Sequence, residues 1–175
     1  IVFTLFSFVN SSDVFLILKT QKASNSETIA IIGYIFYNLV YAGASWPAGK
    51  IADKIGKQNV FIVGLAVFSI VYFGFAFFSS IPIIFLLFTF YGLYAASTEG
   101  VVKAWVSDLV PDNQRGSAIG LFTMMSSFAV MAGSAATGIL WDYFGSQVPF
   151  LVSGIVAAAI AGFLILSGKN SEIRE

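Results

Sequence analysis

Six stretches of this chain are long and apolar enough to cross a bilayer, and no other feature limits the fold as much. A hydrocarbon core of roughly 30 Å takes about 20 apolar residues in helical form. The runs are Ile1 to Leu18, Ile29 to Ala48, Val60 to Phe78, Pro82 to Val106, Ala118 to Trp141 and Val148 to Ser167. Lipid offers no hydrogen-bond partner to an open strand, so each run must close its backbone bonds internally as a helix. The expected fold is therefore an all-α polytopic membrane protein with six transmembrane helices. Only 10% of the 175 residues are charged, against about 25% in soluble proteins.

Several function classes drop out at once. The net charge is zero, so nothing suggests nucleic acid. With no Cys and no His, disulfides, thiol chemistry, His-based catalytic dyads and most zinc sites are excluded, and no cofactor or metal is expected. The first run is interrupted by Asn10, Ser11, Ser12 and Asp13 and lacks a basic flank, so it does not read as a signal peptide. The chain begins at Ile1 rather than Met, and the expectation is that residues precede it.

Orientation follows from Lys and Arg near the span ends. Lys50, Lys54, Lys57, Lys103, Arg115, Lys169 and Arg174 fall on one side, and only Lys19 and Lys22 on the other. The first side should be cytoplasmic, with both ends of the segment inside. Trp46, Trp105 and Trp141 fall at span ends, as an aromatic belt requires. Ser24 and Glu27 suit a capping box before the second span, Ser80 with Pro82 suits the start of the fourth, and Pro111 to Gln114 reads as a polar turn.

A turn signature then repeats. Gly49-Lys50-Ile51-Ala52-Asp53-Lys54-Ile55-Gly56 returns 89 residues later as Gly138-Ile139-Leu140-Trp141-Asp142-Tyr143-Phe144-Gly145, both G-x-[IL]-x-D-x-x-G. That offset maps the first three spans onto the last three. Three is odd, so the two units, about 1–78 and 82–167, are expected to lie inverted in the membrane, a common transporter plan.

These residues carry a resemblance. Gly49 to Lys57 resembles the loop signature G-x-L-a-D-r-x-G-r/k of the major facilitator superfamily, with Lys54 where many members have Arg. Pro111-Asp-Asn-Gln-Arg-Gly-Ser-Ala-Ile-Gly120 is similar to that family's entry to its penultimate span, and Gly138 to Gly145 to its weaker echo. Phe8 to Phe15 is similar to the start of the second half in some bacterial members. The likeness covers the whole chain and is to the C-terminal six-helix half. It implies a bacterial-type inner or plasma membrane, a small-molecule solute held between two halves, alternating access, and a missing N-terminal half as partner beside the lipid bilayer. It also implies a cytoplasmic gate motif at Gly49, Asp53, Lys54, Gly56 and Lys57, with Arg115 and Gly116 where the other half's own motif would dock. A cytoplasmic turn that serves only topology is the plainer reading.

Within the spans, Asp13 lies roughly 9 Å inside the outer boundary set by Lys19. An ionised carboxylate there costs about 2.5–3.5 kcal/mol on insertion scales, so it must face a cavity, find a partner or be protonated. Proton coupling or cargo contact is one reading; a carboxylate satisfied by neighbouring Ser and Asn donors is the other. Asn10 aligns with Glu99 under the 89-residue offset. Glu99 and Lys103 are spaced to pair along the helix, or else to gate or touch cargo. Tyr34, Asn38, Tyr41 and Ser45 form one polar-aromatic face, for cargo or for helix packing; Tyr91, Tyr94 and Thr98 repeat the theme. Gly92-Ala96-Gly100 and Gly154-Ala158-Gly162 read as close-packing stripes.

The function these features suggest is secondary active transport of a small solute, proton-coupled, by symport or antiport, with this chain as half of the permease. The alternative is a half-length membrane protein acting as a receptor or scaffold, or assembling as a dimer. An enzyme is not expected, since the carboxylates are scattered and no Ser has a His partner. Substrate, direction and coupling ion do not follow from these residues.

Overall fold

The computed structural model describes residues 2–172. Arg174, counted above for orientation, and Ile1 lie outside the described residues. Among the described residues seven α-helices follow one another: α1 Val2–Val9, α2 Val14–Ser24, α3 Glu27–Ile55, α4 Lys57–Phe77, α5 Ile81–Asp108, α6 Arg115–Phe144 and α7 Gln147–Glu172. A 3-10 turn, Asp112–Gln114, stands where a polar turn was expected. Taken together, α1 and α2 make one span, and six spans result. The helices outrun the apolar runs at most ends, because polar residues keep helical geometry in the headgroup zone.

The helix boundaries follow local chemistry, with one correction. Ser26, not Ser24, caps α3: its Oγ accepts from the Ile29 N–H, and Ser24 instead bonds the Thr20 carbonyl. Ser80 precedes α5 with Pro82 in the first turn, as expected. The two signature turns match in detail. Gly56 and Gly145 have φ of 91° and 80°, a region closed to other residues. Each donates its N–H four residues back, to Ala52 and Trp141.

The core is built on α4 and α5. Phe61, Leu65, Phe68, Tyr72 and Phe75 recur at helical spacing on one face of α4 and are all buried. They meet Ile84, Phe88, Tyr91 and Tyr94 of α5 on one side and α7 on the other. Ser69 Oγ donates to the Gly154 carbonyl at 2.9 Å, tying α4 to α7. The glycine stripes work only in part. A Cβ on Gly92 would meet the Tyr37 carbonyl, and one on Gly154 would meet Phe73, but Gly100 and Gly162 face open space.

Outside this core, α3 leans on α5, and α6 touches chiefly α1. Only 6% of the α6 span is buried, against 61% for α4. The aromatic belt is thinner than expected. Trp46 is exposed, with the Lys50 ammonium 3.8 Å from its ring. Trp105 instead packs edge-on to Phe3 and Phe61. Lys22 sits over Trp141 at 4.8 Å, so these two residues share one end of the bundle, as the topology requires. Lys19, expected near the surface, is buried.

Candidate functional site

The first span breaks where its polar run falls. Asn10 still donates to the Phe6 carbonyl, but the ladder then stops, because Asn, Ser and Asp compete with the backbone for its own groups. The freed Ser12 N–H is taken by Ser134 Oγ of α6 at 3.0 Å. Such a break is tolerated in a bilayer only where protein or a cavity covers it. Helix α6 supplies the cover through Gly133, which lies so close that an added Cβ would stand 1.8 Å from the Phe8 carbonyl oxygen.

Asp13 opens α2 without capping it. Its carboxylate instead accepts from two hydroxyls of other spans. Tyr37 of α3 donates to Oδ2 in a short hydrogen bond, and Tyr91 of α5 donates to Oδ1 at 2.6 Å. The two tyrosine rings meet edge to face at 5.1 Å, and both are buried. The donors are thus tyrosines, not the neighbouring Ser and Asn that a purely local reading supposes. Asp13 also lines an open cleft of about 320 Å³ with Asn10, Ser12 and Tyr34. It is therefore held rigidly yet reachable.

The other members of the expected polar face divide their roles. Tyr34 lines that cleft and lies edge-on to Tyr37 at 5.2 Å. Asn38 spends its amide on the Tyr34 carbonyl of its own helix, and Ser45 its hydroxyl on Tyr41. Tyr41 donates to Glu99 Oε2 at 3.0 Å. Glu99 therefore pairs across to α3, and no Glu99–Lys103 ion pair forms. Both still line a second cavity, of about 180 Å³, between α1, α5 and α6. Thr98 bonds its own helix, and Tyr94 walls this second cavity.

At the signature turn, Asp53 is exposed and borders two shallow cavities with Lys57. Lys57 is paired, but with Asp108 at the end of α5, through a short ion pair. Lys54 is exposed, and Gly49 has open space beside it. Arg115 turns back to Asp112 at 2.9 Å within its own turn, and Gly116 faces open space. Asp53 makes no ion pair among the described residues, so the turn presents a free carboxylate.

Sequence reasoning missed Tyr37, Asp108, Gly133 and Ser134. Tyr37 was legible: it sits three residues after Tyr34 and four before Tyr41, on the same helical face. The others carry no sequence signal, since their roles depend on which helix lies opposite.

A family model described as Major Facilitator Superfamily matches residues 1–174. An MFS-type transporter of Methanocaldococcus jannaschii is 39% identical over 168 residues, covering 93% of this chain and 42% of that protein. The tetracenomycin C resistance and export protein of Streptomyces glaucescens is 26% identical, over 78% of this chain and 26% of its own length. Multidrug resistance protein 2 of Bacillus subtilis is 28% identical, over 71% and 31%. The chain thus spans less than half the length of these relatives.

Proposed function

Because the chain belongs to the Major Facilitator Superfamily, an integral multi-pass family of transporters, we propose that it is the C-terminal half of a proton-coupled secondary transporter. The observation that carries this reading is Asp13, a carboxylate inside a broken span, clamped by hydroxyls from two other spans and open to a cleft. A carboxylate so placed is a functional group by default. Protonation would weaken its hold on Tyr37 and Tyr91, a carboxylic acid being a poorer acceptor than a carboxylate, and so loosen α2 from α3 and α5. A proton is thereby given unequal affinity for two arrangements of the bundle, which is what shifts an equilibrium.

The solute would sit between this half and an N-terminal one, seated on the sparsely buried faces of α3 and α6. The export and multidrug-resistance relatives support a small organic solute. Alternating access would rock the two halves about that site. The units 1–78 and 82–167 would be inverted repeats, as the matching Gly56 and Gly145 turns suggest. The exposed Asp53, with Gly49, Lys54, Gly56 and the Lys57–Asp108 pair, would act as a cytoplasmic latch toward the other half, and Arg115 and Gly116 would receive that half's own loop. Both ends of the segment would then be cytoplasmic, in a bacterial-type inner membrane.

The test is Asp13→Asn in the complete protein, reconstituted in vesicles with an imposed pH gradient. The variant is expected to remain monodisperse and to lose gradient-driven accumulation while keeping equilibration of solute. Unchanged accumulation with an unchanged pH dependence would refute the assignment.

A further inference from the structure

We propose that Val130, with Asn10, is the barrier in a proton path through this half, and that Glu99 is the group that takes the proton beyond it. This rests on the proton-coupled reading of Asp13 above and adds to it the next station and the gate between the two. The cleft that holds Asp13 and the cavity that holds Glu99 have two lining residues in common, Asn10 and Val130. The rest of the cleft comes from the break, α2 and Tyr34, toward the end of the bundle that carries Lys22. The rest of the cavity includes Phe3, Phe61, Lys103 and Phe122, toward the opposite end. The two spaces therefore lie one above the other along the first span and α6, with one wall between them.

The helices fix the level of that wall. At 1.5 Å per residue, Asn10 lies about 12 Å along the first span from Val2, and Val130 about 18 Å along α6 from Ala118. Both levels fall near the middle of a hydrocarbon core of roughly 30 Å. The wall also adjoins the close contact of Gly133 with the Phe8 carbonyl. Val130 offers only methyl groups, and an apolar constriction stops conduction by excluding water. The spaces on either side, of about 320 and 180 Å³, each exceed several times the about 30 Å³ share of one water.

Glu99 is placed to receive and release a proton. It is exposed and accepts one hydrogen bond, from Tyr41 of α3. Lys103 and Tyr94, both of α5, are the other titratable groups at its cavity, and α1, α4 and α6 bring none to it. Tyr91, which holds Asp13, stands two turns from Glu99 on α5, about 12 Å along the axis. That is too far for direct transfer, so the proton crosses by water. Asp13 in its acid form gives up the proton, and Glu99 takes it on a carboxylate oxygen and releases it past Lys103. Asp13, a carboxylate again, then re-engages both tyrosine hydroxyls. While Asp13 is clamped, Val130 keeps the wall shut; loosening of α2 shifts Asn10 at the break and opens it.

The experiment reads proton leak and needs no solute. The complete protein is reconstituted in vesicles loaded with a pH-sensitive dye, and a pH gradient is imposed with potassium and valinomycin to balance charge. Val130→Ala is expected to raise the leak about tenfold or more over the native protein. Val130→Thr, which keeps the shape and adds a hydroxyl for water, should leak as well, so a packing defect in the first variant does not decide the outcome. Met131→Ala, which lines neither space, should stay as tight as the native protein. Glu99→Gln, which still accepts from Tyr41, should return the Val130→Ala leak to the native rate and on its own should cut gradient-driven accumulation. The proposal is overturned if both Val130 variants are tight, if Met131→Ala leaks as much, if the leak survives Glu99→Gln, or if Glu99→Gln alone accumulates as the native protein does. Should it fail in any of these ways while Asp13→Asn still abolishes accumulation, the transport reading stands. Should Asp13→Asn leave accumulation unchanged while Glu99→Gln still closes the leak, that reading fails and the path past Val130 remains.

Discussion

Replacing Gly133 by Ala tests the junction on which the candidate site depends. The new Cβ would lie 1.8 Å from the Phe8 carbonyl oxygen, where real Cβ contacts essentially never fall under 3.0 Å. At least 1.2 Å of relief is needed, 3.0 minus 1.8, and both partners are backbone, so no side chain can rotate away. Helices α1 and α6 must part. Overpacking of this kind costs about 1–3 kcal/mol. Separation also stretches the 3.0 Å bond from the Ser12 N–H to Ser134 Oγ, worth about 0.5–1.5 kcal/mol. The expected loss is therefore about 1.5–4.5 kcal/mol, less the about 0.5–1 kcal/mol that Ala gains over Gly in a helix interior. Reversible unfolding of the complete protein in mixed micelles, titrated with denaturing detergent, reads this directly. Gly162→Ala is the matched control, since its Cβ meets nothing within 4 Å and Ala gains about 0.5–1 kcal/mol in a helix interior. A Gly133→Ala protein within ~0.5 kcal/mol of native stability, or a control that loses as much, would refute the close contact and the covering role of α6.

Two further outcomes follow from the hydrogen bonds and ion pairs. Tyr37→Phe and Tyr91→Phe each remove one bond to the Asp13 carboxylate, at about 1.5–3 kcal/mol for a charged acceptor. Each should cut gradient-driven uptake, and the double variant should lose less than the sum, because the second tyrosine then addresses a carboxylate already released. Strict additivity of the two would show that they do not share one acceptor. Lys57→Gln should change stability by no more than about 1 kcal/mol, because its partner Asp108 is half exposed and such pairs are screened. Its effect should fall on transport rate, and the swapped pair Lys57→Asp with Asp108→Lys should recover that rate. A large loss of stability would place the pair in the core rather than at a latch.

Much of this molecule is legible without coordinates, for a physical reason. Crossing lipid is a property of each segment alone: length, hydropathy and the demand for internal backbone bonds are met or failed within some 20 residues. The six spans, the polar turn at Asp112 and the Gly56 and Gly145 turns are of this kind. So is the identification of Asp13 as a residue needing an explanation, since its cost arises from the lipid itself.

What the polar groups meet is not local. A helix may turn about its axis and choose its neighbour without altering its own hydrogen bonds, so partners are decided by packing. Sequence spacing placed Lys103 beside Glu99, yet the carboxylate is taken by Tyr41 across the α3–α5 contact. Neighbouring Ser and Asn were the nearest donors to Asp13 along the chain, yet Tyr37 and Tyr91 reach it from 24 and 78 residues away. The sequence by itself determined how many times the chain crosses the membrane and where it turns, because the bilayer judges each segment separately. Only the tertiary structure decided that the break in the first span is roofed by Gly133 and Ser134, that two tyrosines hold Asp13, and that Tyr41 takes Glu99, because those outcomes depend on which helix faces lie against one another.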